Sequence, residues 1–266
     1  KTTVAANLAL SLEQNVQYLD SDVEEPNGHI FIKPKIIKTE TIGTPVPVVD
    51  EDKCNYCGKC KEICQYNAIA IVTKNVLVFP ELCHSCAGCW LICPENAIST
   101  SERELGVLEQ GNANGIDFVH GRLRLGEAMS PPLIRKVKEQ MDKSKIVIID
   151  SPPGTSCPVI EAVKKSDFVI LVTEPTPFGL NDLKLAVEMV RTLKMPLGVV
   201  INRSDIGNDD VREYCHEEEI DVLMEIKNDR KIAEAYSRGI PLVDIAPEYK
   251  DRFRKLYADV EGRVAQ

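Results

Sequence analysis

Ile146-Val147-Ile148-Ile149-Asp150-Ser151-Pro152-Pro153-Gly154 is a short apolar run that ends in a carboxylate and a Pro-Gly turn. Its length is that of a strand, and it carries no polar residue on either face until Asp150, as a strand covered by helices on both sides requires. Helical periodicity precedes it over residues 131–142. The alternation recurs on both sides: a helix over 3–13 leads to a strand at Val16–Asp20, and strands at 168–173 and Leu197–Asn202 flank a helix over 181–193. Apolar strands interleaved with helices predict an α/β fold, a doubly wound and mostly parallel sheet.

The composition agrees with a packed globular chain. Its 266 residues are 44% hydrophobic and 5% aromatic, with 32 Lys plus Arg against 41 Asp plus Glu, a formal charge of −9. That hydrophobic content excludes a disordered chain. No basic block is present, so a nucleic-acid partner is not expected, because phosphate binding needs clustered cations. The longest apolar runs, 146–149 and 168–172, fall far short of the roughly 18 residues of a spanning helix, so no stable membrane insertion is expected.

In open parallel sheets ligands gather outside the carboxyl ends of the strands. Those ends carry Asp20-Ser21-Asp22, Asp150-Ser151-Pro152-Pro153-Gly154, Thr173-Glu174-Pro175-Thr176-Pro177 and Asn202-Arg203. Two carboxylate sites and an asparagine at such positions suit a Mg²⁺-nucleotide. The chain opens with Lys1-Thr2-Thr3, which matches the last residues of a phosphate-binding loop, GxxxxGK[ST]. It enters helical periodicity at once, without an initiator Met, and therefore reads as a piece whose first strand and most of whose phosphate loop lie upstream.

Eight of the ten cysteines lie between Cys54 and Cys93. Their order is Cys54-x2-Cys57-x2-Cys60-x3-Cys64 and then Cys83-x2-Cys86-x2-Cys89-x3-Cys93-Pro94, the bacterial ferredoxin spacing written twice at an offset of 29 residues. Ile63, Asn67, Ala68 and Ile69 recur as Ile92, Asn96, Ala97 and Ile98. Three thiolates on a tight loop cap one cubane while the fourth points to the other cluster. The spacing thus predicts two [4Fe-4S] clusters ligated crosswise, one by Cys54, Cys57, Cys60 and Cys93 and one by Cys83, Cys86, Cys89 and Cys64. Paired zinc sites or a disulfide knot are the competing readings, and neither calls for a third cysteine at the same short interval. Gln65 stands where the second copy has Pro94. His84, Tyr66 and Trp90 read as loop or covering residues, not ligands.

The cysteine module interrupts the alternating pattern. The Pro-bearing stretch 33–47 reads as the way in and 99–106 as the way out, with 106–115 a plain acidic loop. Residues 1–34 and 105–266 are expected to form the nucleotide domain, and 35–104 an inserted small α+β ferredoxin-like domain.

Lys1-Thr2-Thr3, LDSDVEEPNGH at 19–29, IIDSPPGTS at 148–156, TEPTPFGL at 173–180 and VVINR at 199–203 resemble, in order, the MinD/ParA/Mrp superfamily of P-loop ATPases, and more narrowly its members with an inserted two-cluster ferredoxin domain. The resemblance implies ATP and Mg²⁺ as cofactors and a nucleotide-dependent homodimer with facing sites. It implies that Lys1 and Thr3 belong to the phosphate site, that Lys1 binds phosphate oxygens and that Thr2 ligates Mg²⁺. Asp22 would orient the attacking water, Asp20 would stand nearer the metal shell, and Asp150 would hold Mg²⁺ through water. Lys1, Asp22 and Asp150 would form the catalytic set. Pro153 and Gly154 would sense the γ-phosphate, and Asn202, with Arg203 beside it, would read the adenine edge. Cys157 is expected to be a small buried residue, Cys215 to be without a partner, and the final amphipathic helix to pack on the sheet.

The function expected is an ATPase that couples nucleotide state to electron transfer or to iron-sulfur protein maturation, with a redox partner or an apo acceptor protein. A redox-sensing positioning switch, and an iron-sulfur binding module without ATPase activity, are the alternatives. Oxidation-prone thiolate clusters place the expected site of action in the reducing cytoplasm.

Overall fold

The computed structural model describes residues 1–13 and 15–264. The chain opens with α1 (Thr2–Leu12), β1 (Val16–Asp20), α2 (Gly28–Ile32) and the long strand β2 (Lys35–Val49). The cysteine segment holds α3 (Lys59–Ile63), β3 (Ile69–Val72), β4 (Asn75–Val78) and α4 (Gly88–Ile92), and returns through β5 (Ile98–Ala113) and β6 (Ile116–Leu123). Alternation follows with α5 (Pro131–Glu139), β7 (Ile146–Asp150), α6 (Cys157–Val163), β8 (Val169–Thr173), α7 (Pro177–Thr192) and β9 (Leu197–Asn202). The chain closes with α8 (Asp210–Glu217), β10 (Val222–Ile226), α9 (Arg230–Ser237), α10 (Leu242–Ile245) and α11 (Glu248–Val264).

One sheet has the order β2-β5-β6-β1-β7 and a second the order β10-β9-β8. β1 runs parallel to β6 and β7, and β8, β9 and β10 run parallel to one another. This is the expected α/β core. The other side of the larger sheet is antiparallel, through β2 with β5 and β5 with β6. The stretches expected as connecting loops, 33–47, 99–106 and 106–115, are therefore mostly strand. Pro45 and Pro47 are tolerated because β2 is the sheet's edge strand, where a missing N–H costs no ladder bond. Asn114-Gly115, at φ 52° and 81°, makes the two-residue hairpin turn that joins β5 to β6.

β7 and β8 each keep one unpaired edge. Both are as apolar as β1, yet Ile146 through Ile149 and Ile170 through Val172 are only half-buried whereas β1 is buried throughout. Ile148 from β7 and Ile170 and Val172 from β8 pack on the same cluster, so the two edges flank one core.

α1 holds that core together. Val4 and Leu8 meet Phe253 and Leu256 of α11, while Ala6 and Ala9 let the helix lie close to Val16, Tyr18 and Phe118 of the sheet. Phe253 is fully buried, which contributes about 1.5–3 kcal/mol over leaving it exposed. α11 thus packs on α1 and on β10 rather than spreading over the sheet alone. Among the described residues no helix is long and apolar enough to cross a membrane.

Candidate functional site

At the carboxyl ends of β1 and β7, Asp20 and Asp150 stand opposite each other in register. Both are almost wholly buried. Tyr18, also fully buried, donates its hydroxyl to Asp150 Oδ2 at 2.8 Å. Asp20 accepts from the backbone N–H of Gly28 at 2.8 Å and of Asp22 at 3.2 Å. Burial, then the charge of Asp150, raises Asp20 to about 7, against the pull of those two hydrogen bonds. Asp22 is raised by burial and lowered in turn by the field of Lys1. The Lys1 ammonium is pushed down by burial while Asp22 and Asp150 oppose the shift. Lys1, Asp22, Asp20 and Asp150 therefore share one electrostatic site, with Thr2 buried at the start of α1. Two crowded buried carboxylates are the arrangement a divalent ion relieves.

Pro153 and Gly154 follow on an exposed loop, where Gly154 adopts φ 90° with open space on its Cβ side. Asn202 and Arg203 lie at the end of β9, and their partner Glu174, like Asp150, acts on the Lys1 terminal ammonium. Asn202 Nδ2 donates to Glu174 Oε1 at 3.2 Å, and Arg203 reaches Glu174 Oε2 at 3.4 Å. Sequence reasoning does not single out Glu174, Tyr18 or Gly28 as site residues. Glu174 lies in the strand-end segment 173–177, which marks it, while Tyr18 looks like an ordinary apolar strand position.

The cysteines gather around two cavities in the segment between β2 and β5. Cys64, Cys83, Cys86 and Cys89 line one, Cys54, Cys57, Cys60 and Cys93 the other. No disulfide joins any of them. The repeat is written into the backbone: Tyr56 and Ser85, Gly58 and Ala87, and Asn67 and Asn96 all take positive φ. Equivalent N–H groups point at sulfur in both copies, Tyr56 to Cys54 and Ser85 to Cys83 at 3.4 Å, Ala68 to Cys64 and Ala97 to Cys93 at 3.3 Å. Such donors stabilise thiolate charge. Burial raises the Cys60 thiol and pushes Cys89 up to about 11. Among the described residues no three His, Cys, Asp or Glu side chains converge on a single ion. Four sulfurs spread around each cavity suit a multi-iron cluster better than a mononuclear metal.

His84 is exposed and stacks on Tyr66 with centroids 3.5 Å apart, and Trp90 lines a cavity wall. Cys157, expected to be buried, is exposed, because it opens α6 directly after the Pro-Gly loop. Cys215 is buried beside Leu183 and Val187.

Residues 1–242 match the family described as the CobQ/CobB/MinD/ParA nucleotide binding domain. The chain is 36% identical over 213 residues to the uncharacterized protein MJ0578 of Methanocaldococcus jannaschii, covering 78% of this chain and 75% of that one. It is 31% identical over 133 residues to the iron-sulfur cluster carrier protein of Pyrococcus horikoshii, covering 42% of this chain and 45% of the carrier. In structure it resembles the cell division ATPase MinD of Pyrococcus furiosus, with a TM-score of 0.55 and 19% identity over 98% of this chain and 92% of that one, a likeness of fold. The chain belongs to the CobQ/CobB/MinD/ParA nucleotide binding domain family.

Proposed function

We propose that this protein is an ATP-binding iron-sulfur protein whose nucleotide state is coupled to two resident [4Fe-4S] clusters for electron transfer. The observation that carries this reading is connectivity. The strands that leave the carboxylate-bearing sheet, β2 and β5, are the arms that enclose the two four-cysteine cavities. Cys54, Cys57, Cys60 and Cys93 would hold one cluster and Cys64, Cys83, Cys86 and Cys89 the other, and the bound clusters would supply one-electron chemistry. Backbone N–H donors to the Cys64 and Cys93 sulfurs favour clusters that stay in place.

Lys1 would bind phosphate oxygens, Thr2 would hold Mg²⁺ directly and Asp150 would hold it through water, Asp22 would orient the attacking water, and Asn202 would contact the base. Two chains would dimerise with their sites facing.

A second reading, delivery of clusters to an apo acceptor, is favoured by the relatives named as iron-sulfur cluster carrier proteins. Anaerobic purification with iron and sulfide analysis, followed by MgATP titration and an apo-ferredoxin transfer assay, tests the reading. About eight irons per chain, saturable MgATP binding and no cluster loss to the acceptor are expected. Zinc in place of iron overturns it, and rapid transfer favours delivery.

A further inference from the structure

A single in-register row of polar residues crosses all five strands of the larger sheet. Asp150 on β7 faces Asp20 on β1, Asp20 faces His120 on β6, His120 faces Glu109 on β5, and Glu109 faces Thr39 on β2. The row starts at the carboxylates of the nucleotide end and finishes in the two arms of the cysteine module. Contacts link its members. Gly28 N–H holds Asp20, and the next residue, His29, meets the His120 ring at 5.5 Å between centroids and 61° between planes. His120 Nε2 lies 2.8 Å from Glu109 Oε2, and Thr39 donates to Glu109 Oε1 at 3.4 Å.

His120 is 4% exposed, and its Nδ1 has no hydrogen-bond partner among the described residues. A buried ring satisfied on one nitrogen only forfeits stability that an apolar residue would not. The groups that face it are Glu109 from β5, His29 from α2 and Arg122 from its own strand. Glu109, His29 and His120 also line a cavity of about 690 Å³ with Glu24 and Arg122.

We propose that His120 is a positioning residue that couples the Asp20–Gly28 clasp to arms β2 and β5, and through them to the cysteine module. This rests on the reading of Asp20 and Asp150 as the nucleotide end. A change at Asp20 moves Gly28 and His29 together. His120 follows the His29 ring, and its hydrogen bond to Glu109 carries the displacement into β5 and, by way of Thr39, into β2.

Hydrogen exchange of residues 35–49 and 98–113 in the full-length, cluster-loaded protein tests this in two arms. MgATP should change arm protection several-fold in the wild type and in His120→Gln, which keeps a donor for Glu109, but not in His120→Phe. Without nucleotide, Asp20→Asn should change arm protection in the wild-type background and not in the His120→Phe background. Glu109→Ala breaks the same hydrogen bond from its other end and serves if His120→Phe does not fold. Arms that respond equally with and without the His120–Glu109 bond overturn the proposal, as does a wild-type background indifferent to Asp20→Asn. If a separate titration finds no MgATP binding, the nucleotide reading fails, and the Asp20→Asn comparison alone decides the role of His120.

Discussion

Asp20 and Asp150 face each other across β1 and β7, buried side by side, with the Tyr18 hydroxyl bonded to one and the Gly28 amide to the other. Two carboxylates held this way are costly when both are ionised and nothing positive lies between them.

Asp20 therefore makes stability depend on pH. Its native pKa, about 7, lies above its unfolded value, so its contribution is fully present below about pH 4 and is lost as pH rises through 7. A tenfold change in the proton affinity of a carboxyl is worth about 1.4 kcal/mol. In the metal-free protein Asp20→Asn should be more stable than the wild type at pH 8, by on the order of 1–4 kcal/mol, and nearly equal to it at pH 4. Anaerobic denaturant titrations at the two pH values read the difference. Curves that stay parallel would show that Asp20 is not raised.

Tyr18→Phe removes the donor to Asp150 while keeping the ring that stacks on Phe118. A buried acceptor left without its partner costs about 1–3 kcal/mol. The urea midpoint should fall with an unchanged slope, and a change below a few tenths of a kcal/mol would exclude the hydrogen bond as a stabilising contact.

Gly28→Ala should be destabilising by about 1–3 kcal/mol through overpacking. An added Cβ would lie 2.5 Å from the Tyr18 ring and 2.9 Å from Asp20 Oδ2. Melting temperature is the readout, and a neutral effect would mean that α2 yields freely at its first residue.

The proposed crosswise ligation would give an unusual pattern of double substitutions. Cys64→Ser with Cys83→Ser should leave about half the iron, because both cysteines line one cavity. Cys54→Ser with Cys64→Ser, which touches both cavities, should remove nearly all of it. The reverse ranking would mean that each CxxCxxCxxxC run holds its own cluster.

Much of this arrangement is legible in the sequence because it is local. The β7 segment Ile146–Asp150 is a short-range pattern and emerges where expected, and the cysteine spacing is equally local, its eight residues lining two cavities. β2 and β5 escape sequence reading because their pairing spans tens of residues, and prolines and charges along an edge strand look like a linker. The Asn114-Gly115 turn is the available signal for the hairpin. α7 begins at Pro177, before the apolar periodicity, because Thr176 caps it by accepting from Gly179 N–H at 3.0 Å. The row from Asp150 to Thr39 is invisible to motif reading, since register between distant strands sets it.

Nucleotide coupling to resident clusters is tested most directly by the EPR spectrum and reduction potential of the anaerobically reduced, full-length protein with and without MgATP. Two [4Fe-4S] signals that shift on MgATP addition are predicted. Iron clusters whose spectrum and potential are identical in both states, at MgATP concentrations shown to saturate binding, would contradict the coupling.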